Sequence, residues 1–248
     1  VIHVDDLVKT FGRFAAVDGV SLEVPAGEIH GFLGPNGAGK TTTLRMIAGL
    51  LQPTRGRVEI DGHDVAREPE AAKRALGFIP DRPFLYEKLT AFEFLRFHGG
   101  LYGLEGAGVD ERARELIELF ELSAWRQELV ESFSHGMKQR LVMCAALLHR
   151  PRAVVVDEPM VGLDPRGARL IKEIFRLQAR EGVAVLMSTH TLEVAEEMCD
   201  RISIILGGRI IARGTVAELR DLAGTEDAHL TPVFLKLTGG GGFQEITL

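Results

Sequence analysis

Apolar and polar positions alternate along the first sixty residues, as they do in strands with one buried face. Ile2-His3-Val4 and Val20-Ser21-Leu22-Glu23-Val24 carry that period. Pro25-Ala26-Gly27-Glu28 supplies a turn before a third strand, Ile29-His30-Gly31-Phe32-Leu33. Val58-Glu59-Ile60 runs into Asp61-Gly62, a dipeptide that favours a tight hairpin. From about residue 81 to residue 150 the period becomes helical, and between Asp110 and Glu121 it sets Leu116, Leu119 and Phe120 on one face.

After Ala153, strands and helices alternate. Ala153-Val154-Val155-Val156 and Val183 to Met187 are short apolar runs, the pattern of strands buried on both faces of a parallel sheet. Pro165 to Arg180 predicts an amphipathic helix closed by Gly182, and Leu192 to Cys199 the next helix. Ile202 to Leu206 and Ile210-Ile211-Ala212 flank Gly207-Gly208, a second hairpin. The chain reads as α/β with a mostly helical insertion near 82–150. Four consecutive glycines, Gly239 to Gly242, argue for a flexible tail.

Composition narrows the function. The 248 residues hold 29 Lys and Arg against 35 Asp and Glu, a net charge of −6, which argues against a nucleic-acid-binding surface as the default. The longest apolar run, Leu141 to Leu148, is far short of the roughly 20 residues a membrane helix needs. The opening Val1-Ile2-His3-Val4-Asp5-Asp6 lacks the apolar length of a signal peptide, and a leading valine suggests processing or trimming. Cys144 and Cys199 lie in apolar surroundings without metal-ligand spacing and read as buried free thiols of a cytosolic protein.

Gly34-Pro35-Asn36-Gly37-Ala38-Gly39-Lys40-Thr41 matches G-x-x-x-x-G-K-[ST], a phosphate-binding loop. It follows a strand and precedes a helix, predicted over Thr41 to Leu50. Glycines let backbone N–H groups approach phosphate oxygens, and the helix N-terminus faces the same anion. Lys40 is placed to reach the β- and γ-phosphates of ATP, Thr41 to hold Mg²⁺, and Thr42 to add a hydrogen bond. Asp157 and Glu158 end a buried strand at its carboxyl edge, where α/β proteins place ligands. Asp157 suits the metal, which leaves Glu158 free to polarise an attacking water.

Phe133-Ser134-His135-Gly136-Met137-Lys138-Gln139-Arg140 resembles the signature sequence of ATP-binding cassette (ABC) ATPases. The phosphate loop, Asp157-Glu158-Pro159, Gly162-Leu163-Asp164 and Ser188-Thr189-His190 follow the family's order and spacing, over roughly residues 1–224. The resemblance implies a P-loop NTPase (RecA-like) core, residues 1–80 and 151–224, with an antiparallel β subdomain. It implies a helical signature subdomain over 81–150 and a C-terminal tail over 225–248. Two chains then sandwich two ATP molecules head to tail. Ser134, a good N-cap, and Gly136 touch the γ-phosphate held by the partner copy's phosphate loop, which comprises Asn36, Gly37, Ala38, Gly39, Lys40, Thr41 and Thr42. The resemblance also makes His190 the switch histidine at the γ-phosphate and places Asp164 in a loop bridging the two copies. Phe11 becomes the aromatic that stacks on adenine, its alternative being core packing, with Val17 as an apolar contact beside the base.

Two positions depart from the family pattern. Asp81 stands where glutamine is usual, and reads as a metal-proximal or coupling residue or as an exposed turn acid. His135 stands where the signature more often has glycine. It is either a solvent-facing substitution or a donor near the partner's ATP that makes turnover sensitive to pH near roughly 6–7.

Seven of the sixteen aromatic residues fall between Phe78 and Tyr102. Some of these rings form the helical subdomain's own core, and there the resemblance implies a groove for a cytoplasmic helix of separate permease subunits, and so a position on the cytoplasmic face of the membrane. It implies ATP-driven transport, with export favoured by likeness to drug-resistance ATPases. The alternatives are a soluble ABC ATPase acting on DNA or ribosomes and an ATP-switched binding module with little hydrolysis.

Overall fold

The computed structural model describes residues 1–82, 84–224 and 229–238. β1 (Ile2–Phe11) and β2 (Phe14–Val24) pair antiparallel, and β3 (Ile29–Leu33) leaves them for a second sheet. After α1 (Lys40–Ile47), β4 (Arg55–Ile60) returns beside β1, and β5 (His63–Asp64) folds back on it through Asp61-Gly62. α2 (Pro69–Arg74) then leads into β6 (Leu76–Ile79).

Three helices follow: α3 (Ala91–Leu101), α4 (Ala107–Leu119) and α5 (His135–Leu148). β7 (Ala153–Asp157), α6 (Pro165–Arg180), β8 (Ala184–Thr189) and α7 (Leu192–Met198) restore the alternation. β9 (Arg201–Leu206), β10 (Arg209–Gly214), α8 (Val216–Ala223) and α9 (Leu230–Thr238) complete the described chain. The second sheet runs β10-β9-β3-β8-β7-β6, parallel except for the hairpin strand β10.

Successive residues of β7 face different cores, which is why its apolar run has no polar breaks. Val154 and Val156 pack with α3 to α6, whereas Val155 packs with α1 and the first sheet. α5 is buried along almost its whole length, from Gln139 and from Leu141 to Leu148, and has little amphipathic signal. A third core joins Leu33, Ile202 and Ile204 to Leu219 of α8 and to Leu230, Val233 and Phe234 of α9.

The structure departs from the sequence reading in several places. α1 ends at Ile47 because Gly49 takes a left-handed φ of 66°, three residues short of the predicted Leu50. β8 extends two residues past Met187, to Thr189. Strand β6 and helices α2, α8 and α9 go unpredicted. α9 lies in the segment read as tail, where burial of Val233 and Phe234 fixes it to the core. The run Gly239 to Gly242 lies outside the described residues. Cys144 is a buried free thiol, and Cys199 is free and partly buried.

Candidate active site

Four adjacent parallel strands, β3, β8, β7 and β6, deliver the candidate residues at their carboxyl ends. The phosphate loop follows β3, His190 follows β8, Asp157 ends β7 with Glu158 directly after it, and Asp81 follows β6. A cleft of about 540 Å³ opens there, lined by Asn36, Gly37, Gly39, Lys40, Thr41 and Thr42 of the loop. Asp81, Glu158 and His190 line its other side.

Glu158 is the centre of the polar cluster. Its Oε1 lies 3.5 Å from Lys40 Nζ and its Oε2 lies 2.9 Å from His190 Nδ1. Lys40 is buried and also donates to the carbonyl oxygens of Gly34 (2.7 Å) and Pro35 (3.2 Å). Glu158 itself adopts φ 51°, an uncommon conformation for a residue other than glycine. This bends the chain out of β7 and turns the carboxylate over the loop. Asp157 is buried beneath it, and Ser188 Oγ donates to its Oδ1 at 2.5 Å.

The loop's own shape is forced by close approaches. A Cβ on Gly34 would sit 2.4 Å from the Ile205 carbonyl oxygen, so no side chain fits there. Gly39, at φ 106°, caps α1 while facing the Ala16 carbonyl oxygen across a gap too small for Cβ. The β9–β10 turn completes the support: Gly208 N donates to Ala38 O at 3.0 Å, and Asp18 N donates to Gly208 O at 2.9 Å. Ala38 is itself buried below the loop.

Phe11 and Phe14 face each other across the tip of the β1–β2 hairpin, are both exposed, and line the cleft together with Ala16. Lys9 Nζ lies 5.3 Å from the Phe11 ring centroid. Val17 does not reach this cleft. It is fully buried in the core beneath the first sheet, because neighbouring residues of a strand point to opposite faces and Ala16 takes the outward one. Val17, expected beside the base, thus lies in the core, and Phe14, an aromatic flanking Gly12-Arg13 that the sequence analysis did not single out, lines the cleft.

Ser134, Gly136 and Asp164 stand apart from the cleft. Ser134 is exposed and caps α5, its Oγ accepting from Met137 N at 3.3 Å. Asp164 caps α6 by accepting from Gly167 N at 2.7 Å, and it lines a separate polar hollow with Glu121, Arg140 and Arg166. The aromatic-rich stretch divides in two. Phe94 is buried among α3 to α5, while Phe84, Tyr86 and Phe97 form an exposed edge-to-face ladder with centroid spacings of 5.9 and 5.0 Å.

Residues 17–161 match the family model described as ABC transporter. The chain belongs to the ABC transporter family. It is an ATP-binding, ATP-hydrolysing subunit with the P-loop cassette fold of that family. The chain is 42% identical over 229 residues to the daunorubicin/doxorubicin resistance ATP-binding protein DrrA of Streptomyces peucetius, covering 92% of this chain and 69% of that protein. Among solved structures it is similar to an ATP-binding subunit of an ABC transporter, with TM-score 0.90, 36% identity and coverage of 96% and 99%. A dimeric bacterial ABC transporter cassette, MJ0796, superposes with TM-score 0.80 at 26% identity, covering 87% of this chain and 99% of that one. No helix among the described residues of this ABC subunit is long and apolar enough to cross a membrane.

Proposed function

We propose that this subunit hydrolyses ATP in the cleft above the four strand ends, as half of a head-to-tail homodimer that drives export through separate permease subunits. The observation that carries this reading is the convergence of Lys40 and His190 on the Glu158 carboxylate, both within 3.5 Å. Lys40 offers a fixed positive charge to the β- and γ-phosphates. Glu158 takes the proton of the attacking water, and His190 holds the γ-phosphate and the Glu158 carboxylate in register. Phe11 and Phe14 offer ring faces to the adenine.

The donor set fits Mg²⁺. Thr41 and Asp157 supply hard oxygen ligands, and Ser188 occupies only one of the two Asp157 oxygens, leaving the other for a cation. Bound there, Mg²⁺ neutralises charge on the β- and γ-phosphates. Asp81, exposed on the cleft wall, is a metal-proximal or coupling residue.

Residues 1–80 and 151–224 form the nucleotide-binding core in this reading, and 81–150 the helical unit that bears the signature. The N-terminus of α5, with Ser134 and Gly136, binds the γ-phosphate held by the partner copy, and Asp164 sits in the segment bridging the two copies. The exposed Phe84, Tyr86, Phe97 and Leu101 form an apolar surface suited to a permease helix at the cytoplasmic face of the membrane. The likeness to a daunorubicin/doxorubicin resistance protein supports export.

The test is Glu158→Gln. Turnover is expected to fall by about 10²–10³-fold, and with Mg²⁺ and ATP the variant is expected to run as a dimer by light scattering but as a monomer with ADP. Wild-type turnover, or a monomer under all conditions, would overturn the proposal.

A further inference from the structure

Ser188 lies on β8 directly beside Asp157 in the parallel ladder and is fully buried. Its hydroxyl makes two contacts, to Asp157 at the end of β7 and to Glu158 directly after it. Oγ donates to Asp157 Oδ1 at 2.5 Å and accepts from Glu158 N at 3.1 Å. The direction of both bonds is fixed by chemistry. A backbone N–H can only donate, so Oγ must accept there, and the single hydroxyl proton goes to the carboxylate.

We propose that Ser188 is a positioning residue for ATP hydrolysis, one hydroxyl holding Asp157 by Oδ1 so that its other oxygen faces a metal, and holding the backbone turn that aims Glu158. The proposal rests on the roles given above to Asp157 and Glu158. Two geometrical facts support it beyond simple satisfaction of a buried polar group. The amide it holds belongs to the residue at φ 51°, the bend that turns the Glu158 carboxylate toward Lys40 and His190. The oxygen it holds belongs to the acid directly preceding that bend, so fixing Oδ1 also fixes which oxygen remains for a cation. The neighbouring Thr189 extends the same strand end, its carbonyl accepting from Gly34 N at 3.3 Å and its hydroxyl from Thr191 N at 3.0 Å. One strand terminus thereby fastens the acids, the phosphate loop and the segment carrying His190.

Replacing Ser188 with Ala removes a donor and an acceptor at once and leaves Asp157 Oδ1 and the Glu158 N–H unmatched. Ser188→Cys keeps the volume with a much weaker hydrogen-bonding group, and Ser188→Thr keeps the hydroxyl. In the intact protein, Ser188→Ala and Ser188→Cys are expected to lower kcat by about 10²-fold and to weaken Mn²⁺ affinity, read by electron paramagnetic resonance, by about 10-fold. Binding of a fluorescent ATP analogue in the presence of chelator should change less than about two-fold, and Ser188→Thr should restore both losses. If Thr does not fold, Cys decides. A Cys variant with the wild-type melting temperature, turnover and Mn²⁺ affinity would reduce Ser188 to a space-filling residue and overturn the proposal. Should wild type and Glu158→Gln turn over alike, the assignment of Glu158 has failed instead, and the Mn²⁺ measurement on Ser188→Cys still judges the orienting of Asp157.

Discussion

The imidazole of His135 packs against Gly162 of the same chain: a Cβ placed on Gly162 would lie 2.8 Å from His135 Cδ2 and 3.0 Å from Nε2. The first turn of α5 and the segment leaving Glu158 therefore touch within one subunit, with Leu163 lying beside Gly136 as a second contact. The ring that sequence offered as a donor to a partner's nucleotide has its Cδ2–Nε2 edge against its own backbone, although the residue stays exposed.

Gly162→Ala is expected to destabilise the protein by about 2 kcal/mol, combining a left-handed φ of 75° with the His135 clash. Adding His135→Ala removes only the clash. The double variant should recover at least about 0.5 kcal/mol over additivity in chemical denaturation. Strict additivity would show that the two residues do not press on one another.

Phe11 and Phe14 form one wall of the cleft, whereas Val17 lies behind it. Phe14→Ala and Phe11→Ala are each expected to raise the KM for ATP by about 3–10-fold with kcat held, the signature of lost uniform binding. Val17→Ala should instead cost about 2 kcal/mol of stability and leave KM unchanged. Steady-state kinetics beside thermal melts separate the two.

Tyr102 stacks on His149 at 3.9 Å, and burial pushes the His149 pKa down to about 4, opposed by its hydrogen bond to the Leu76 carbonyl. Below pH 6.5 the unfolded imidazole takes a proton that the folded one refuses until about pH 4. Stability is therefore greatest above pH 6.5, falls by at most about 3 kcal/mol toward pH 4, and levels off below. His149→Phe keeps the stack and should flatten that slope in denaturation curves taken between pH 4 and 7.

Burial raises both thiols, Cys199 to about 12 and Cys144 further. Iodoacetamide at pH 8 should leave both unmodified in the folded protein and label both after unfolding, as read by mass spectrometry.

What could be read from the sequence follows from which interactions are local. The phosphate loop and Asp157-Glu158 are contiguous, so their spacing survives any uncertainty about packing. The β-branched run of β7 declares a doubly buried strand for the same reason. The burial of Val17 could not be read because a face assignment needs register, and the β1–β2 pair shifts register three times between Val4 and Thr10. Strand β6 is only four residues long and contains Gly77, which weakens a strand signal. The Ser188 hydroxyl lies 31 residues from Asp157, a distance over which no periodicity speaks. α9 needs the third core to exist before its apolar face has a partner.

The turn at Gly207-Gly208 gives the phosphate loop a late dependency. Ala38 O and Asp18 N both pair with Gly208, some 170 residues downstream of the loop. A ribosome that has released the first hundred residues has made the motif without its scaffold, so nucleotide should not shelter the nascent chain until the last parallel strand and its hairpin have emerged.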